Sequence, residues 1–356
     1  MLYNLNMEFD NRQTNISKGI ATILLLWHHL FLPPELNSAY TSLFFVNGIQ
    51  MEGAFAELSK VCVAIFLILS GYGMNKSYKK HREKSTKKPI AFDLAFLKRS
   101  LLRLYAPFWI VFLIFVPMGF LFNRNPVLIY ESNVLNLIFD SLGLSYLVHG
   151  FFYFTMNNTW WYMSIIIVLY LMYPLLHRAI ARFPELTFCV VFAVSFIPLP
   201  LRDYSIWLLP FVLGMFASEK RLFERMAAVK ANKAIHVFLS LMSLILLGIF
   251  RYFVLCNTVY FDFAFGFCIL ILIFLGISRI PVLDLVMENL GKRSAVIYMM
   301  HSFICYYYFS GFIYSFKYPP LIFLSVLLIS FAAAVLIQKI MDITKYNEMI
   351  KSASKL

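Results

Sequence analysis

The sequence predicts an all-α fold: a polytopic membrane helix bundle with about ten transmembrane helices and both termini cytoplasmic. Three observations carry this. Of 356 residues, 61% are hydrophobic and 14% charged, against about 45–50% apolar and 25% charged in soluble domains. Mean hydropathy is +0.75, and apolar runs of near-spanning length recur with short loops between them. Lysine and arginine gather in alternate loops, as they do on the cytoplasmic face of membrane proteins.

Helices are expected at 17–32, 54–75, 101–122, 158–177, 185–199, 204–218, 234–252, 260–277, 294–315 and 320–341. The fifth and sixth are short, and Pro198, Pro200 and Pro210 suit kinked or tilted helices there. On this register the basic loops 76–100 and 219–233 share one side with Arg12, Lys18, Lys339, Lys345, Lys351 and Lys355. The other side keeps Lys60, Arg124, Arg202, Arg251 and Lys317. The richer side is the cytoplasm. Segment 134–154 is apolar enough to span, but a crossing there would turn every later basic loop outward. It therefore reads as an outer, interfacial or re-entrant segment. The organisation is a cytoplasmic segment 1–16, one integral domain 17–341 and a cytoplasmic tail 342–356. The expected location is the plasma or inner membrane.

The net charge is +13. Such a balance can mark a nucleic-acid partner, but the basic loops account for it, so lipid is the expected partner and nucleic acid is not. The first sixteen residues lack the basic region and cleavable apolar core of a signal peptide. Cys62, Cys189, Cys256, Cys268 and Cys305 form no C-x-x-C pair and read as small core residues, with no metal expected. Asn157-Asn158-Thr159 fits a glycosylation sequon, a pattern short enough to arise by chance.

The first helix carries ionisable residues where they are costly. Lys18 and His29 are eleven residues apart and fall within about 20° of one helix face, roughly 16 Å apart along the axis. His28 points elsewhere. His29 suits a general base or an interhelical hydrogen bond. Lys18 suits an anionic ligand or a snorkelling anchor. In the second span, Ser70 and Gly71 offer a hydroxyl beside a close helix approach. Lys98, Arg99 and Arg103 stand at the cytoplasmic mouth of the third; Arg99 and Arg103 are four apart and share a face. They fit a phosphate-bearing ligand or lipid headgroups. Trp161 opens the fourth span among aromatics that suit either the membrane interface or a sugar. Tyr298 and His301 are three apart, so their polar ends can converge.

In order and spacing these pieces resemble integral-membrane acyltransferase family 3, which includes bacterial polysaccharide O-acetyltransferases. The resemblance rests on Lys18-Gly19-Ile20-Ala21 followed by His29, and on Phe66-Leu67-Ile68-Leu69-Ser70-Gly71-Tyr72. Arg103 with Pro107 and Trp109, Trp161 with Tyr170 and Pro174, and Tyr298 with His301 complete it. It runs from Lys18 to the last span. Two positions depart from the pattern. Ser100 stands where many members carry the first arginine of an Arg-x-x-Arg pair, with Arg99 one residue away. Ile166 stands where some members carry an acid.

The resemblance implies an acyl-CoA donor, acetyl-CoA foremost, with no metal. It implies transfer across the membrane to a hydroxyl of a glycan or lipid-linked saccharide. Lys98, Arg99 and Arg103 would bind CoA at the cytoplasmic end, where Lys18, counted with His29 as catalytic, would also meet it. His29 would deprotonate the acceptor, Ser70, Tyr298 or His301 would steady the oxyanion, and Trp161 would contact substrate. An extracytoplasmic partner is a further expectation, because no esterase-like domain follows the last span; a homodimer is another. The competing class is a transporter or flippase of a glycan or lipid-linked intermediate, which needs no CoA. A membrane sensor or assembly partner with a degenerate site is a third.

Overall fold

Prolines and asparagines set where many of these helices begin. Lys88, Phe183 and Tyr318 are held out of the helical region before Pro89, Pro184 and Pro319, each at the first helical position of its helix, where the missing N–H costs nothing. Asn125 and Asn133 cap their helices by accepting from Val127 N and Leu135 N, which satisfies donors that the helix leaves open. Pro33 and Pro34 follow the first helix and end it.

The computed structural model describes residues 9–36, 38–46, 48–150, 153–197, 202–228, 233–253, 259–277 and 281–353. Its helices in chain order are α1 Asn11–Phe31, α2 Met51–Ser59, α3 Cys62–Arg82, α4 Pro89–Met118, α5 Pro126–Ile129, α6 Val134–Ser141, α7 Ser145–His149, α8 Trp161–Arg182 and α9 Pro184–Ser195. They continue as α10 Arg202–Glu219, α11 Leu222–Ala228, α12 Lys233–Phe253, α13 Asp262–Leu272, α14 Pro281–Lys292, α15 Ser294–Ser302, α16 Ser310–Tyr314, α17 Pro319–Ile343 and α18 Tyr346–Ala353. The strands described are β1 Phe45–Val46 and β2 Ile49–Gln50, an antiparallel hairpin pairing Phe45 with Gln50 and Val46 with Ile49. Cys256, Pro198, Pro200, Lys355, residues 1–8 and residues 354–356 lie outside the described residues.

Among the described residues, four stretches are long and apolar enough to cross a membrane: Met51–Arg82, Pro89–Met118, Asn158–Arg182 and Pro319–Ile343. Pro184–Ser195, Tyr204–Glu219, Val237–Phe253 and Val259–Leu275 are shorter apolar helices. The α-helical class and a membrane protein of apolar helices follow from these.

Several boundaries differ from the sequence expectation, each for a physical reason. The helix expected at 54–75 is two, α2 and α3. The second runs to Arg82, because nothing between Asn75 and Arg82 breaks a helix. With α4 starting at Pro89, most of the expected loop 76–100 is the ends of two helices. The span expected at 294–315 is α15, a π-helical turn Phe303–Tyr308 and α16. Segment 134–154 holds two short helices, α6 and α7, separated at Gly143, whose φ of 68° a glycine adopts readily. At eight and five residues neither is long enough to span. Residues 281–292, expected to be a connection, are the helix α14.

The described chain falls into two compact units, one built from the chain up to His28, Phe55–Glu83 and Tyr173–Lys292, the other from His29–Ala54, Lys84–Met172 and Arg293–Leu356. In the first unit, α3 and α10 meet at Gly71 and Gly214. A Cβ on either would overlap the other helix's backbone, at Phe211 O and Ile68 O. α1 and α14 meet in the same way at Gly19 and Gly291. There Arg12 reaches the buried Asp284 at 2.9 Å. Arg251 and Asp262 form a fully buried ion pair at 2.6 Å, and the same guanidinium donates to Glu57 O at 2.8 Å. Asn75, also fully buried, donates to Glu219 at 3.1 Å and accepts from His177 Nδ1 at 2.9 Å.

In the second unit the packing is aromatic. Trp160 lies against Phe108, Phe112 and Phe303. Its indole N–H donates to Met299 O at 2.8 Å, which satisfies the one polar group of a buried tryptophan. Tyr308 donates to Phe115 O at 2.6 Å and Tyr314 to Leu30 O at 2.8 Å.

Candidate active site

Within the second unit, the last residues of α1, the turn before α8 and the end of α15 bring polar side chains together. His29 is half-buried, with its ring centroid 4.8 Å from that of the fully buried His301. Tyr306, in the π-helical turn, donates its hydroxyl to His29 O. A π turn directly after His301 and Ser302 is a feature often found at functional sites. His28 turns away, and its Nδ1 donates to Ala56 O at 2.8 Å.

The tautomer of His301 follows from its neighbours. Its Nδ1 faces Tyr298 O at 2.8 Å and Ile297 O at 3.2 Å. Carbonyls only accept, so Nδ1 carries the hydrogen and Nε2 of the neutral ring is bare. Nε2 lies 3.3 Å from the Ser302 hydroxyl, which is 3.1 Å from the Thr159 hydroxyl. Thr159 in turn donates to Asn157 Oδ1 at 2.8 Å. Asn157 is fixed from both sides: its amide donates to Met299 O at 3.2 Å, and its oxygen also accepts from Thr159 N at 3.0 Å. The Tyr298 hydroxyl donates to Thr159 O at 2.6 Å, so its hydrogen braces the turn rather than pointing at a reacting atom.

The next residues of the same turn face a different space. Asn158, Trp160 and Trp161 line a cleft of about 260 Å3 with Asp140, Gly143, Ser145, Tyr146, Gly150 and Thr155. In the cleft wall, Asp140 accepts from Tyr130 at 2.8 Å, Met156 N at 3.0 Å and Ser145 at 3.2 Å. Burial pushes this carboxyl up to about 6, against the pull of those donors. Arg124 holds the turn from the other end. It donates to Met156 O at 2.8 Å and Thr155 O at 3.2 Å, and its guanidinium lies 3.6 Å from the centre of the Tyr307 ring.

A family model described as an acyltransferase domain matches residues 12–339. The chain belongs to the acyltransferase 3 family. Comparison with curated proteins and with solved structures finds no match. The chain is thus an acyltransferase of this family, and the matched residues take in every candidate named from the sequence.

For this acyltransferase the structure brings His29, His301 and Tyr298 into one neighbourhood and sets Trp161 at the adjoining cleft. Lys98, Arg99 and Arg103 lie on α4 in the same unit, Lys98 and Arg103 exposed and Arg99 half-buried. Lys18 and Ser70 belong to the first unit, each half-buried. Lys18 is carried by α1, the helix that ends just after His29.

Asn157, Thr159, Ser302 and Tyr306 carry no mark of a site in the sequence, and Arg124 stands there only as an outer-side cation. Asn157 and Thr159 were visible only as a glycosylation pattern. With Asn157 fully buried and both ends of its amide bonded, they serve the acyltransferase interior instead. The adjacency of Ser302 to His301 was the one local signal for the rest. Among the described residues, no cluster of histidine, cysteine and acid side chains is suited to a metal.

Proposed function

We propose that this acyltransferase is a membrane-embedded O-acetyltransferase. It moves an acetyl group from cytosolic acetyl-CoA to a hydroxyl of a cell-surface glycan or lipid-linked saccharide, with His29 as general base. In this reading it sits in the plasma or inner membrane with about ten spans and both termini cytoplasmic. The observation that carries it is the His29–His301 pair. A half-buried imidazole at the end of a membrane helix, ring against ring with a second, fully buried imidazole, is an expensive arrangement for packing alone and well suited to moving a proton near neutral pH.

The chemistry is a single displacement. His29 takes the proton of the acceptor hydroxyl as its oxygen attacks the thioester carbonyl carbon. The carbon–sulfur bond breaks, and the CoA thiolate leaves and collects a proton. Lys98, Arg99 and Arg103 take the phosphates of CoA, where paired guanidinium groups bind well. Lys18 is assigned to the donor as well, at the cytoplasmic end of the helix that carries His29, and Ser70 to the oxyanion. The cleft at Trp161 and Tyr146 is the acceptor's approach, since aromatic faces beside hydroxyl and amide groups suit a neutral sugar.

The test is transfer from radiolabelled acetyl-CoA by the purified full chain across a panel of glycans, wild type beside His29→Ala. Equal labelling by the two removes His29 as the base. Failure of CoA to slow phenylglyoxal modification of Arg99 and Arg103 removes them from the donor site.

A further inference from the structure

The sequence reads as a cytoplasmic tail after residue 341, yet Tyr346–Ala353 is the helix α18, and it lies on α4. Lys345 makes the turn into it. Its φ of 50° is the left-handed conformation, which a residue other than glycine adopts at a cost. The docking of α18 offsets that cost. Tyr346 and Ile350 are four apart and share one face of the helix. Ile350 is 3% exposed, and the Tyr346 hydroxyl donates to Leu102 O on α4. Glu348 and Met349 of the same helix are exposed.

The contact falls beside the basic face of α4. Pro107 lies inside that helix. It offers no N–H to Arg103 O and its ring crowds that carbonyl, which weakens the helix at this turn. Tyr346 serves the neighbouring carbonyl, and Arg103 is the next residue. The phenol and the guanidinium are close enough to interact: burial pushes Tyr346 up to about 12, and the Arg103 charge pulls against it. Arg12, Lys79, Lys220, Arg251 and Lys292 each meet an acid. Arg103 is exposed and meets none among the described residues. Arg99, four residues earlier, adds a like charge on the same face of α4, an unfavourable pairing by itself that an anion held by both guanidinium groups relieves.

We infer that Tyr346 is a positioning residue for a phosphate held by Arg99 and Arg103, and that α18, fixed by Tyr346 and Ile350, is the second wall of that site. The Tyr346 hydrogen is spent on Leu102 O, so the residue acts through α18 and Arg103 rather than by touching the ligand. The ligand chemistry is a phosphate monoester or diphosphate. The nucleotide end of CoA and a lipid headgroup both carry it; the choice of CoA rests on the proposed function.

The experiment uses the purified full chain in phosphatidylcholine nanodiscs, with melting curves to show that each variant is folded. Tyr346→Phe, which removes only the hydroxyl, and Ile350→Ala are expected to raise the Kd of CoA and the KM of acetyl-CoA about fivefold, the scale of one lost hydrogen bond. The kcat is expected to stay within about twofold of wild type. Met349→Ala is expected to change neither. A Kd unmoved in both Tyr346→Phe and Ile350→Ala, while wild type binds CoA, overturns the inference and leaves the donor reading standing. A fall in kcat with KM unmoved overturns it too, because a merely structural role would give that split. Phenylglyoxal modification of Arg103, read by peptide mass spectrometry, separates the two sources of phosphate. Protection by CoA in phosphatidylcholine alone supports the donor. Protection only when phosphatidylglycerol is added removes the donor reading; the inference then stands if Tyr346→Phe weakens that protection and falls if it does not. Protection by neither overturns the inference.

Discussion

His29 and His301 stand ring to ring with centroids 4.8 Å apart, while His28, next in the chain, bonds Ala56 O. Two adjacent histidines on one helix thus face different partners. His29→Ala is expected to lower acetyl transfer by about 10²–10⁴-fold, the range of a lost general base, with little change in thermal stability. His28→Ala removes a buried bond, so it is expected to cost roughly 1–2 kcal/mol of stability and to leave turnover per folded molecule within about twofold of wild type. Radiolabelled transfer beside a melting curve separates them. The reverse pattern would assign the chemistry to His28.

Much of this was legible because helical periodicity is local. The angle between successive residues is enough to turn His28 and His29 to different sides, and three-residue spacing is enough to put Tyr298 and His301 on one face. What periodicity does not contain is a partner from a distant segment. Thr159 meets Ser302 across 143 residues and Arg251 meets Glu57 across 194. Neither Thr159 nor Arg251 differs in the sequence from an ordinary surface residue. The same limit explains α14. Its polar residues suggest a connection, and only its docking on α1 through Gly19, Gly291 and the Arg12–Asp284 bond gives those residues a buried use.

Arg251 makes that contrast measurable. Counted from the sequence as an outer-side cation, it is instead 1% exposed and paired with Asp262. Removing one member of a buried pair strands the other charge, at a cost of about 3–5 kcal/mol, whereas replacing both with apolar residues is often near neutral. Arg251→Met and Asp262→Leu are each expected to lower the melting temperature of the detergent-solubilised chain strongly. The double variant is expected to recover most of the loss. If each single variant melts with wild type, the pair is not formed.

Asp140 gives the segment between α4 and α8 a pH dependence. Its folded carboxyl is raised to about 6 by burial, above the ordinary aspartate value of about 3.9. The folded state therefore holds the proton more tightly than the unfolded one. Its contribution to stability is fully present below about pH 4 and is lost as the pH rises through about 6, on the order of 3 kcal/mol in all. The protonated form is satisfied locally, because Ser145 can accept from the carboxyl and turn its own hydrogen to Phe154 O, 3.4 Å away. Asp140→Asn keeps a neutral side chain that donates to Ser145 and accepts from Tyr130 and Met156 N. It is expected to flatten stability between about pH 4 and about pH 7. Thermal melts across that range check it; a variant as pH-sensitive as wild type would show that another group titrates.

Gly71 and Gly73 stand two residues apart on α3, just after Ser70. The structure separates them. A Cβ at Gly71 would overlap Phe211 O on α10, whereas at Gly73 nothing lies within 4 Å of the added carbon. Backbone cannot swing aside as a side chain does, so Gly71→Ala must push α3 and α10 apart and give up the packing along their crossing. The expected loss is about 3 kcal/mol or more, at or beyond the upper end for overpacking. Gly214→Ala forces the same separation from the other helix, so the two together are expected to cost less than their sum. Gly73→Ala meets no obstacle and gains helix propensity, worth up to about 1 kcal/mol. Opposite signs at two positions two residues apart are the outcome to look for in melts of the single variants. Equal losses at both would mean that the helix tolerates no alanine there for a reason other than the α10 contact.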